Sequence, residues 1–504
     1  MSSLSIVFSR ARVGIDAPLV TVEVHLSGGL PTFSIVGLPT TSVKEAKDRV
    51  RSALINSNFN FTDKKITVSL APADLPKEGG RFDLPIAIGI LAAMGNIPQN
   101  VLRQYEFCGE LALSGELRPI IGEIPTAYAC KESGRVSLMP KENAIHAALI
   151  KGASIIGCDS LLHAFHHVLG QQVIEFEQLT FADQGYSTDI DLQDVVGQPM
   201  AKRALEIAAS GAHNLLFTGP AGTGKSMLAQ RLTTILPIMT DDEALQSAAI
   251  HSVCGQQINP ATWKNRPFRT PHHTASGVAL VGGGSNPRPG EISLSHNGVL
   301  FLDELPEFDR KVLDVLREPL ETGKVTISRA SRQAEFPARF QLIAAMNPSP
   351  TGDYDDGRST PDQVLRYLNR LSGPFLDRID IQLEVPRLPK GALTQDPQRG
   401  EPSETVRLRV AYSRQVQIER AGKPNAMLSS REVDYYCPLS ADDAMFLENA
   451  IERLKLSTRA YHKILKVSRT IADIQGDVAI TRAHLSEALG YRAMDRLIQR
   501  LKAV

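Results

Sequence analysis

Gly219-Pro220-Ala221-Gly222-Thr223-Gly224-Lys225-Ser226 is the stretch whose residue types and spacing most plainly imply chemistry. Glycines at these intervals let a backbone wrap phosphate oxygens with its amide hydrogens turned inward. The lysine and hydroxyl that close the loop supply a cation for the β- and γ-phosphates and an oxygen ligand for Mg²⁺. The apolar run Asn214-Leu215-Leu216-Phe217-Thr218 precedes the loop and an amphipathic pattern starts at Met227, so the order predicts strand, loop, helix. A second apolar run, Val299-Leu300-Phe301-Leu302, ends in Asp303-Glu304. Two adjacent acids at a strand end need a cation or water as partner. Beside a phosphate loop, Asp303 is expected in the Mg²⁺ shell and Glu304 is expected to polarise the attacking water. The expected cofactors are therefore ATP and Mg²⁺.

The rest of the chain must position these groups. It has 504 residues, with Lys+Arg and Asp+Glu both at 55, so a nucleic-acid surface has to be local rather than global. The five cysteines are scattered without a CxxC pair, which argues against a zinc ribbon or disulfide framework and for reduced thiols. No signal-peptide pattern opens the chain, and the most apolar stretch, Leu84 to Met94, is shorter than a bilayer span of about 20 residues. The expectation is a soluble, cytoplasmic protein with no membrane partner. Period-two runs such as Leu19 to Val24 and Lys65 to Leu70, with a helix over Lys44 to Asn56, predict an α+β domain at 1–175. Residues 176–190 are polar and read as a linker. Alternating strands and helices over 191–390 predict a parallel sheet covered on both faces. After a Pro-rich break, 391–504 is helical, most clearly at Ala460, Ile464, Val467 and Ile471. The fold class is thus multidomain α/β.

Several other segments resemble parts of AAA+ ATPases. Asp194-Val195-Val196-Gly197-Gln198 resembles the segment that contacts adenine, which assigns Val196 and Gly197 to the nucleotide. Asn347, at the end of Gln341 to Met346, resembles sensor 1; a turn-forming Asn before Pro348 is the alternative. Arg378, in Gly373 to Asp380, resembles an arginine finger reaching a neighbouring subunit, against the alternative of an ion pair with Asp377 or Asp380; Arg370 is the second candidate. Arg459, in Ser457-Thr458-Arg459, resembles sensor 2 closing over the phosphates, or is a solvated helix arginine.

A longer ordered pattern is more specific. Arg269-Thr270-Pro271-His272-His273-Thr274-Ala275-Ser276, Gly282-Gly283-Gly284, Pro287 to Ser293 and Asn297 to Phe308 together resemble the ComM (YifB) family of magnesium-chelatase-like AAA+ proteins over essentially the whole length. The resemblance implies a ring homohexamer, a helix-2 insert near 276–292, a hairpin before sensor 1, a C-terminal helical lid, and a DNA motor that drives branch migration while incoming DNA is integrated in natural transformation. Forked, branched or single-stranded DNA and other recombination proteins are the implied partners. The hairpin falls at Glu321 to Gln333, where Arg329 and Arg332, and less strongly Lys324, are candidates to grip phosphates without reading sequence; a solvated basic turn is the alternative. Adjacent His272 and His273 are expected to be structural, since neighbours in sequence rarely converge on one metal. The N-terminal domain resembles the Lon-protease fold, but Arg81 stands where the serine nucleophile would be and Arg118 replaces the lysine base; a guanidinium stays protonated and cannot act as that base. A magnesium-chelatase-like remodeller of a protein partner is the alternative function, and an ATP-dependent protease a third.

Overall fold

The computed structural model describes residues 4–37, 40, 43, 45–178, 189–284, 287–329, 332–353, 358–392 and 400–503, with the side chains at 329, 332, 502 and 503 excepted. They form two compact units: residues 1–184 with 241–263 and 330–336, and residues 185–240 with 264–329 and 337–504. Among the described residues no helix is long and apolar enough to cross a membrane.

The first unit is α+β. Its seven-stranded sheet runs in the order Phe33–Val36, Lys65–Ala71, Leu19–Ser27, Leu4–Arg10, Tyr105–Phe107, Val136–Pro140, Ile155–Cys158. The period-two pattern is realised: Val20, Val22, Val24 and Leu26 point inward from one strand, Ile66, Val68 and Leu70 from its antiparallel neighbour. The apolar helix Asp83–Ala93 is buried across most of its surface, and Gly89 lets it approach the sheet; a Cβ there would lie 2.6 Å from Val24. The helix Asp241–Val253 was expected inside the 191–390 domain but clusters with this unit. Its small residues Ala244, Ala248 and Val253 are buried, and Ala248 shares a core with Ile124, Ala127, Met139 and Ile155. Amphipathicity gives a helix's buried face, not the surface it meets.

The second unit holds a five-stranded, wholly parallel sheet ordered Phe268–Arg269, Val299–Leu302, Gln341–Met346, Leu215–Thr218, Ile381–Glu384. Nearly every residue of its inner strands is buried, as for parallel strands covered on both faces. Leu215, Phe217, Phe301, Ile343, Ala345 and Ile381 share one core with Leu228 and Leu232 of the helix Lys225–Ile235, Val410 of Ser403–Ala421, and Ile464 and Ile471 of Thr458–Gln475. The C-terminal helices therefore pack in the same unit as the sheet. Because all five strands run the same way, their C-terminal ends make one edge and their N-terminal ends another.

Candidate functional site

The C-terminal edge gathers the phosphate loop, the acid pair and Asn347. The loop conformation rests on its glycines. A Cβ on Gly219 would sit 2.3 Å from the Val385 carbonyl oxygen, and Gly222 and Gly224 have φ of 80° and 87°, a left-handed backbone that favours glycine. Gly224 then caps the helix Lys225–Ile235, whose first turn aims free amides at the loop. Lys225 is 8% exposed. Its ammonium donates to the carbonyls of Gly219 (2.7 Å) and Pro220 (2.9 Å) and to Asn347 Oδ1 (3.1 Å). Burial lowers its pKa, and the carboxylate of Asp303 opposes that. Ser226 Oγ donates to Asp303 Oδ2 at 2.5 Å. A serine hydroxyl and a carboxylate, side by side at the end of a phosphate-wrapping loop, form an oxygen donor set suited to Mg²⁺, which keeps its remaining positions for water and phosphate. Asp303 Oδ1 also accepts the Glu304 amide at 2.9 Å, and Glu304 adopts φ of 53°, which turns the chain sharply at the strand end.

Val196 and Gly197 come to the same edge. Gln198 Nε2 donates to the Pro386 carbonyl at 2.8 Å, and Gly197, at φ 63°, would place a Cβ 2.9 Å from Leu388. The segment thus lies beside the chain leaving the last sheet strand. Arg370 is held near the acid pair on this chain, with Nη1 3.2 Å from Glu307 Oε1 and 3.3 Å from the Pro306 carbonyl.

Arg378 and Arg459 lie elsewhere. Both line a cleft of about 890 Å³ whose wall includes Asn214, Phe340 and Asp380, the residues just before three of the sheet strands. A strand of four residues separates this edge from the phosphate loop by about 13 Å. Arg378 pairs with Glu321 and donates to the Pro374 carbonyl at 2.5 Å; the Asp377 and Asp380 partners considered from sequence are not its own. Arg459 instead approaches Asp377, at 3.8 Å. Arg459 therefore stands at the opposite edge of the sheet from this chain's own phosphate loop. The reason is the docking of the helix Thr458–Gln475: Lys463 meets Asp380 at 3.0 Å and holds the helix start at the N-terminal edge. Burial raises the Asp380 pKa, yet Lys463 and His213 outweigh it and hold the carboxyl well below the usual range.

One residue near the chemistry was missed. His273, expected to be structural alongside His272, places Nδ1 3.3 Å from Glu304 Oε2, with its ring 4.1 Å from that of His272 and edge-on to Phe308. Its signal is visible only once Phe268–Arg269 is known to pair with Val299–Leu302, because that pairing brings the residues following each strand together.

In the first unit, Arg81 is buried and donates to the carbonyls of Arg10 and Ile121, while Arg118 is 62% exposed with Glu110 at 3.9 Å. Strands Lys324–Arg329 and Arg332–Pro337 occupy the expected hairpin stretch; the side chains of Arg329 and Arg332 lie outside the described residues.

Comparison with known proteins accords with this geometry. Family models described as "Magnesium chelatase, subunit ChlI", "Subunit ChlI of Mg-chelatase" and "Magnesium chelatase, subunit ChlI C-terminal" match residues 191–393, 22–143 and 400–492. The chain is 57% identical to Competence protein ComM of Haemophilus influenzae and 53% identical to YifB of Escherichia coli, each over 99% of both chains. It is 23% identical to the magnesium-chelatase 38 kDa subunit of Cereibacter sphaeroides, over 58% of this chain and 87% of that one. The parallel sheet, its phosphate loop and acid pair, and full-length identity above one half together place this chain in the ComM (YifB) family of magnesium-chelatase-like AAA+ proteins.

Proposed function

We propose that the chain is a Mg·ATP-driven motor that assembles as a homohexameric ring in the cytoplasm and moves branch points in DNA, in the integration of incoming DNA during natural transformation. The observation that carries the ATPase reading is the convergence of Lys225, Ser226, Asp303 and Asn347 within 2.5–3.1 Å contacts at one strand edge. Gly219 to Ser226 wrap the triphosphate, Ser226 and Asp303 hold Mg²⁺, and Asn347 and Glu304 orient the attacking water. Mg²⁺ held by Ser226 and Asp303 would supply charge neutralisation to the phosphates. The ring reading is supported by Arg378 and Arg459, which line the opposite edge of the sheet, about 13 Å or more from their own loop, and in this reading serve a neighbour's nucleotide. The DNA substrate is supported by the relationship to a competence protein. Arg329 and Arg332 are the pore contacts in this reading, and the first unit is a Lon-like scaffold without a serine–lysine dyad.

ATP hydrolysis and assembly state, measured with and without forked DNA, test the reading. Stimulation by the fork, a DNA-dependent ring and strand displacement that needs ATP are expected. Lys225→Ala should abolish nucleotide binding, and Glu304→Gln should bind ATP but hydrolyse it about 10²–10⁴-fold more slowly. Hydrolysis indifferent to DNA, together with a stable protein partner, would move the assignment to a magnesium-chelatase-like remodeller.

A further inference from the structure

Asn214 is the residue at which the N-terminal edge of the sheet is tied together. Its side-chain amide donates to the Arg378 carbonyl at 2.9 Å, and its side-chain oxygen accepts the Leu342 amide at 2.8 Å. Its backbone amide donates to Asp380 Oδ2 at 3.0 Å, and its carbonyl accepts the amides of both Asp380 and Ile381 at 3.0 Å. One residue thus spans the starts of three adjacent strands and grips the turn that carries Arg378. Four residues later the same strand ends in the phosphate loop.

These bonds are unlike ordinary strand-start contacts in one respect. Asn214 Nδ2 reaches the main chain of the arginine itself, whereas among the described residues the Arg378 guanidinium is held by Glu321 and by the carbonyls of Pro374 and Arg317. Asp380, two residues on, is held on one side by Asn214 and on the other by Lys463, from the helix that begins next to Arg459. The turn is therefore anchored from the sheet by Asn214 and from the helical region by Lys463, and among the cations of the cleft Arg378 and Arg459 inherit their placement from that turn.

We propose that Asn214 is a positioning residue for Arg378: it sets where the guanidinium stands in the neighbouring subunit's nucleotide site, and it rigidly joins that guanidinium to this subunit's own phosphate loop through the strand Leu215–Thr218. This rests on the reading of Arg378 as a finger acting in trans. A displacement of about 1 Å in such a group costs on the order of 100-fold in rate, so removal of the clamp should slow hydrolysis without weakening nucleotide binding. A strand of four buried residues, hydrogen-bonded on both sides, transmits a shift at one end to the other.

Subunit mixing tests both layers. Arg378→Ala and Asn214→Ala chains each keep their own Lys225, Asp303 and Glu304 but deliver a missing or misplaced finger. Lys225→Ala chains cannot hydrolyse but deliver an intact one. Arg378→Ala mixed with Lys225→Ala should recover hydrolysis; failure to do so discards the trans reading itself. If that mixture recovers, Asn214→Ala mixed with Lys225→Ala should recover as well, nucleotide affinity of Asn214→Ala should match wild type, and Asn214→Ala should add no loss in an Arg378→Ala background. No recovery on mixing, or a full multiplicative loss in the double variant, would show that Asn214 only supports its own subunit's fold and would overturn the proposal. Should Asn214→Ala fail to fold, Asn214→Ser, which keeps a short hydrogen-bonding side chain unable to span to Arg378, takes its place in the same mixtures with the same two outcomes.

Discussion

The two edges of the five-stranded sheet are built on opposite plans. At the C-terminal edge the reactive groups satisfy one another: Lys225 is covered and bonded to Asn347 and two loop carbonyls, and Ser226 is bonded to Asp303. At the N-terminal edge, Arg378, Arg459, Lys463 and Lys466 face a cleft of about 890 Å³. The closed edge holds the glycine-rich loop, the Ser226–Asp303 oxygen pair and Glu304. The open edge has cations and no loop. On the proposed reading the two edges are halves of one hydrolysis site, each completed by the other edge of a second copy.

The contrast breaks most sharply at Arg378. Arg378→Ala should lower the hydrolysis rate about 10³-fold or more while leaving nucleotide affinity intact, the signature of charge stabilisation in the transition state alone. A change in affinity with an unchanged rate would place the residue outside the chemistry and collapse the two-edge account.

A smaller effect sharpens the comparison through pH. His296 lies in the turn entering the strand Val299–Leu302, and its Nδ1 accepts the Arg339 amide at 3.0 Å. Burial first, then the nearby Arg339 charge, pushes its pKa from 6.5 down to about 4. The folded state therefore binds fewer protons than the unfolded state between those values. Stability of the second unit should be full above pH 6.5 and fall as pH drops towards 4, by about 3 kcal/mol in all. Thermal unfolding of wild type and His296→Gln across that window checks this; parallel curves for the two would remove His296 as the cause.

The smallest expected effect is at the closed edge. The His273–Glu304 pair leaves Glu304 59% exposed, so it carries the modest strength of a surface pair, about 0.2–1 kcal/mol. His273→Ala should free the carboxylate and raise hydrolysis in the absence of DNA by up to about fivefold. A fall in rate would mean that His273 orients Glu304 for the reaction instead of occupying it.

What could be read from the chain alone tracks how local each feature is. The phosphate loop is contiguous, so Gly219 to Ser226 carry strand, loop and helix together. Asp303-Glu304 ends a run of apolar residues that only a buried strand explains. The face of Thr458–Gln475 followed from its periodicity, and Ala460, Ile464, Val467 and Ile471 are all buried. Which end of the sheet that helix meets did not follow, because the deciding contact joins Lys463 to Asp380, far apart in sequence. The same holds for His273, brought to Glu304 by a strand pairing, and for Asp241–Val253, whose apolar face fits more than one surface. Helical period gives direction around an axis and says nothing about the partner.

Gly219 has a consequence for genetics. A methyl group at this position would strike the carbonyl of Val385, which belongs to the chain leaving the neighbouring strand. An inactive Gly219→Ala allele would therefore report a sheet forced apart at its rim, not a lost phosphate contact. Used as a nucleotide-binding knockout, it would confuse a folding lesion with a chemical one, whereas Lys225→Ala, which deletes a side chain and adds no bulk, keeps the two phenotypes separate.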